Sequence, residues 1–268
     1  MTNQNFDFQV SPPPAEPVPM VLPPEPPRNQ VWGPWSTIGL GAAIAAIWVI
    51  CQIVITVIFA IMKIASQPGA DITKLVLDIP ANGGFLSLVT IVSSIVGLGM
   101  IVLFILIKKN SNFTDYLALK KIDIKSVLFA LGLAVVLIAL EMVVSFGGTD
   151  SQFSDYMLKA YQSSASPVFL WIAVVFFGPL FEEAFFRGFL YKGLERSAIR
   201  VPGAILLTAL FWAAMHATQY GLLELLFIFI VGIALGILRW RTKSIWNCLL
   251  LHFLFNTAAM VQLAILAH

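Results

Sequence analysis

Residues 166–190 read SPVFLWIAVVFFGPLFEEAFFRGFL. The run has the length of a membrane crossing, about 20 residues for a hydrocarbon core. Its first half holds no charge, and its second half holds Glu182, Glu183 and Arg187. A lipid-facing backbone must satisfy its hydrogen bonds within its own segment, so a continuously apolar run predicts a helix. Ionisable groups inside a span are costly, so these three ask for a functional account.

The rest of the chain is of the same kind. It has 268 residues, 59% hydrophobic and 11% charged, and a mean hydropathy of +0.90; soluble domains carry roughly a quarter charged residues. Seven stretches reach spanning length, near 36–64, 84–107, 126–147, 166–190, 202–219, 222–238 and 244–266. They are continuous rather than alternating, which excludes a barrel. The expected fold is all-α, a polytopic membrane bundle of about seven transmembrane helices over 36–268. The net charge of +2, spread over loops, argues against a nucleic-acid partner. Cys51 and Cys248 fall inside spans as small apolar fillers.

Residues 1–35 include VSPPPAEPVPMVLPPEPPRNQVWGPW, whose prolines forbid helix and predict an extended, disordered tail. No cleavable signal peptide is expected, because the first apolar run follows this tail and serves as an uncleaved anchor. Trp32 and Trp35 fit an interfacial anchor.

With seven spans, one side receives Arg28, Lys108, Lys109, Lys120, Lys121, Lys125, Arg187, Lys192, Arg196, Arg200, Arg239, Arg241 and Lys243, and the other only Lys63, Lys74 and Lys159. The positive-inside rule then places the N-terminus in the cytoplasm and the C-terminus outside a multi-pass protein of the cell membrane. Gly232 and Gly236 form a small-xxx-small pattern, a mark of close helix packing.

Depth groups the polar residues. At 1.5 Å per residue, Glu182 lies about 15 Å from the cytoplasmic boundary, His216 about 20 Å, His252 about 12 Å and Asn256 about 18 Å. Four polar groups from three helices therefore meet near mid-membrane, whereas Glu141 and Glu224 read as interfacial. His252 and Asn256 are i and i+4 and share a face. Glu183 and Arg187 are also i and i+4, with the acid first, the favoured order for an ion pair along a helix. Glu182 points about 100° from Glu183. That leaves Glu182 for chemistry while Glu183 neutralises the guanidinium.

A carboxylate beside a histidine can share a proton and activate water, as Glu182 with His216 can. Peptide hydrolysis further needs donors for the developing oxyanion, which His252 and Asn256 can supply. The same atoms can also be read as a loose metal site, although the HExxH pattern is missing. No cofactor is expected, and metal dependence stays open.

These residues resemble a known family, the CAAX prenyl protease type II and bacteriocin-processing intramembrane proteases, also called the Abi family. Its motifs appear in order: EExxxR as EEAFFR at 182–187, an aromatic followed by histidine as WAAMH at 212–216, and HxxxN as HFLFN at 252–256. The resemblance covers roughly 165–260; the tail and the first three spans match only in being hydrophobic. The family has Phe four residues before the middle histidine, where this chain has Trp212 beside Phe211.

The resemblance implies that Glu182 and His216 position the attacking water and that His252 and Asn256 form the oxyanion hole. Glu183, Arg187 and Trp212 then support the site. It also implies a conical bundle whose polar intramembrane cavity opens to the cytoplasm. The expected activity is that of an intramembrane glutamic endopeptidase, with membrane-associated proteins or peptides as substrates and the bilayer as its medium. A non-catalytic membrane scaffold or immunity-like partner is the alternative; a proton-coupled transporter using Glu182 and His216 as a relay is a third.

Overall fold

The computed structural model describes residues 30–146 and 152–267. The helices are α1 (Pro34–Ser66), α2 (Ile72–Leu77), α3 (Gly83–Leu106), α4 (Phe113–Tyr116), α5 (Ile124–Phe146) and α6 (Gln152–Gln162). They continue as α7 (Pro167–Leu194), α8 (Arg200–Ala214), α9 (Leu222–Thr242) and α10 (Ile245–Leu266). Among the described residues there is no strand. The Pro-rich tail lies outside the described residues as far as position 29.

Local chemistry sets the boundaries. Pro34 opens α1 at a position where no N–H is needed, and Pro68 with Gly69, at φ +86°, follows its end. Asn82 caps α3 by accepting from the Phe85 N–H at 3.0 Å. Ser244 caps α10 in the same way, accepting from Trp246 N–H at 3.3 Å. Ile50, Ile53, Val57 and Ile61 form an exposed apolar stripe on α1, the face that meets lipid.

Among the described residues six helices, α1, α3, α5, α7, α9 and α10, are long and apolar enough to cross a membrane. The expected fifth span, 202–219, is shorter than the sequence reading: α8 ends at Ala214, about 22 Å long. Its last residues leave the helix as a turn, with His216 N–H bonded to Ala213 O at 3.0 Å and Tyr220 N–H to His216 O at 3.2 Å. The segment HATQYG carries polar groups that gain nothing from lipid, and Ala217, Thr218 and Gln219 are exposed. His216 therefore stands on a turn and not on a transmembrane helix.

The helix α6 had no counterpart in the sequence reading. It buries Met157 and Ala160 and packs against Leu170, Met260 and Leu263. Ser163 ties its end to the start of α3, accepting from Gly83 N–H at 3.0 Å and donating to Ala81 O at 3.2 Å.

The bundle has two distinct ends. At one, Trp32 Nε1 donates to Phe104 O at 2.8 Å and Ser244 Oγ donates to Lys120 O at 3.0 Å, gathering 30–34, 104–124 and 242–246. At the other lie the α6–α3 junction and the 215–221 turn. Close helix approach rests on small residues. Gly232 packs against Ala209 and Trp212, and Gly236 against Ile205, so α8 and α9 run antiparallel in contact as the small-xxx-small pattern requires. Gly97 of α3 leaves room for the Phe181 ring, which stacks on Trp48 at 5.6 Å and on Phe185 at 5.7 Å.

Candidate active site

The site is built on α7, which is not a plain α-helix. Ile172–Phe177 and Ala184–Leu190 are π-helical turns, the wider i→i+5 winding that inserts an extra residue and frees backbone groups. The first leaves one carbonyl without a backbone donor. In i→i+5 pairing Val174 O would accept from residue 179, which is Pro179 and has no N–H. Asn256 of α10 supplies the missing donor, its Nδ2 bonding Val174 O at 2.8 Å. At the second π turn Arg239 Nε donates to Arg187 O at 3.1 Å. A buried carbonyl without a partner is costly, so both side chains fix α7 in place.

Between these turns sit the two carboxylates. Glu183 and Arg187 are fully buried, and Arg187 Nη1 bonds Glu183 Oε1 at 3.1 Å. Arg187 Nη2 donates to Gly232 O at 3.2 Å, and its guanidinium lies 4.8 Å from the Trp212 ring centroid. This is the i,i+4 pair read from the sequence, with a backbone carbonyl and an aromatic face added. Glu182 keeps its side chain 19% exposed, so water reaches it while Glu183 stays dry. Its Oε2 accepts from Trp212 Nε1 at 2.5 Å, a charge-assisted bond that fixes the carboxylate.

His252 stands between the two glutamates. Its Nδ1 is 2.8 Å from Glu183 Oε1, and its Nε2 is 3.9 Å from Glu182 Oε2. A carboxylate paired with arginine can only accept, so Nδ1 carries the hydrogen. In the neutral ring Nε2 is then an acceptor, and it becomes an N–H donor only when the imidazole gains a second proton. His216 is set the same way, its Nδ1 donating to Trp212 O at 2.8 Å. The Trp212 ring meets both imidazoles edge to face, at 5.3 Å and 5.5 Å. It thus touches Glu182, Arg187, His216 and His252 together.

A cavity of about 750 Å³ is lined by Glu182, Trp212, His216, His252 and Asn256. The structure therefore brings all four candidate catalytic groups to one space. Glu183 and Arg187 are not among its lining residues and act from behind it. The wall opposite is formed by Trp48, Gln52, Ser93 and Ser94 of α1 and α3. These were missed in the sequence, where Gln52 inside the first span was the available signal. Glu141 and Glu224, read as interfacial, also line the cavity.

Among the described residues no group of three or more His, Cys, Asp or Glu side chains is arranged to hold a metal ion. Cys248 is buried, its thiol directed at Leu235 O at 3.5 Å, and does not line the cavity. The groups that meet in the cavity can hold and move a proton and can donate hydrogen bonds to a developing negative charge.

No curated protein and no solved structure matches the chain. Residues 164–258 match the family model described as Type II CAAX prenyl endopeptidase Rce1-like, and it is to these prenyl endopeptidases that the site-bearing third of the chain is similar.

Proposed function

We propose that the chain is an intramembrane endopeptidase that hydrolyses peptide bonds of membrane-associated proteins or peptides with a water activated by Glu182. One observation carries this reading: Glu182 Oε2 and His252 Nε2 face each other at 3.9 Å in a cavity that also receives His216 and Asn256. That gap is too long for a direct hydrogen bond and lets one water bond to both. Two carboxylates against one guanidinium leave the cluster one net negative charge, which a proton on His252 Nε2 offsets while the Glu182 carboxylate stays free to take the proton of water.

Glu182 takes a proton as the water oxygen bonds to the carbonyl carbon. His216, anchored through Nδ1 to Trp212 O, offers Nε2 to orient the same water. The oxyanion accepts from the protonated His252 Nε2 and from the second N–H of Asn256 Nδ2, whose first is held by Val174 O. The proton then passes from Glu182 to the leaving nitrogen and the C–N bond breaks; the new carboxylic acid gives water's second proton to the amine, leaving a carboxylate and an ammonium.

His252→Ala tests this. In cells carrying the variant, peptide termini generated by the wild-type protein are expected to vanish, and adding imidazole to isolated membranes should restore part of them, because the cavity admits a ring of that size. Termini unchanged by the substitution would overturn the reading. Trp212→Phe removes the donor to Glu182 and keeps an aromatic against both imidazoles. We expect turnover to fall about tenfold, the size of one charge-assisted hydrogen bond, with the melting temperature of the purified protein nearly unchanged. Equal turnover would mean that the carboxylate is held by other contacts.

A further inference from the structure

The cavity has a direction. Its deep lining, Phe181, Trp212 and His252, is almost wholly buried, whereas Gln219, Gln262 and Leu266 at its other limit are exposed. Those three lie on the 215–221 turn and the last turns of α10, at the end of the bundle that holds the α6–α3 junction. Toward the opposite end the site is closed by a layer of buried side chains, Arg187, Phe189, Leu238, Ile245 and Cys248.

The closed end is also the cationic end. Residues 108–125, 192–200 and 241–243 place ten Lys and Arg there, outside the buried pair Arg187 and Arg239, while among the described residues the open end has only Lys63, Lys74 and Lys159. The connections involved are short, the case in which the bias in Lys and Arg sets orientation. A cytoplasm-facing cavity, as the family resemblance implies, and a cytoplasmic N-terminus, as the charges imply, exclude each other in this bundle.

We propose that the cavity opens on the non-cytoplasmic side of the membrane. Resting on the protease reading above, this makes its substrates segments that have already crossed the membrane or that stand in its outer leaflet, reached past Gln219 and Gln262. Cytoplasmic carboxyl termini would have no path to Glu182.

The test is topological. In the full chain with Cys51→Ser and Cys248→Ala, Gln219→Cys and Lys109→Cys are labelled with a membrane-impermeant maleimide in intact bacterial cells. Gln219→Cys should label at once, and Lys109→Cys only after permeabilisation. The reverse pattern, or labelling of both positions in intact cells, overturns the proposal. A second measurement does not depend on these variants: alkaline phosphatase fused after residue 268 of the unmodified chain should be active, and a green fluorescent protein fused there should be dark. An inactive phosphatase with a bright fluorescent fusion places that end in the cytoplasm and overturns the proposal too. Neither assay reads cleavage, so its failure is distinct from failure of the protease reading, which His252→Ala tests.

Discussion

Cells carrying Glu182→Gln are expected to lose the peptide termini that the wild-type protein generates in membranes and medium, at matched expression. Gln keeps the shape of the side chain and can still accept from Trp212 Nε1, so the Trp212 bond at 2.5 Å has a partner in the variant. What is lost is the group that, in the proposed reaction, takes the proton from water. A positioned acid or base contributes about a hundred- to ten-thousandfold, so residual cleavage at or below one per cent is expected, with unchanged melting. Identical termini in both strains, with any cellular phenotype intact, would mean that the cluster is structural and that the protein works by binding.

The second large effect concerns stability. Arg187→Met leaves Glu183 buried without its counter-charge, and Glu183→Gln does the same to Arg187; both side chains are fully buried. Breaking a buried pair by removing one partner costs about 3–5 kcal/mol, whereas replacing both can be neutral. Each single variant should therefore melt well below wild type in detergent, and the double variant Glu183→Gln with Arg187→Met should recover most of the loss. Cleavage should not recover with it, because His252 Nδ1 has lost the carboxylate that it bonds at 2.8 Å. If the single variants melt like wild type, the pair does not hold α7. If the double variant cleaves normally, the negative charge of Glu183 has no part in cleavage, since the Gln oxygen can still accept from His252 Nδ1.

Much of this was legible in the residues. Long apolar runs mark crossings because lipid leaves the backbone no other partner, and the Glu183–Arg187 pair followed from i,i+4 spacing. Spacing also separated Glu182 from Glu183 by about 100°, which pointed to different neighbours. The structure instead places His252 between the two directions, so that one ring meets both carboxylates. Depth counting put Glu141 and Glu224 at the interface, but depth says nothing of azimuth, and both turn inward to line the cavity. The π turns were invisible to a 3.6-residue period. The end of α8 at Ala214 was hidden because hydropathy averages over a turn as readily as over a helix.

The buried layer below the site has an electrical meaning. Where water fills the bundle down to Glu182, little of a membrane potential can fall; it drops across the sealed half containing Arg187, Leu238 and Cys248. Each charge moved through that half would exchange about 2.3 kcal/mol with the field per 100 mV. In the proposed reaction a proton taken from water at Glu182 would return to the aqueous phase on the open side and never enter that field. A cavity open to water as far as Glu182 would thus leave the remaining thickness of the bundle an insulator.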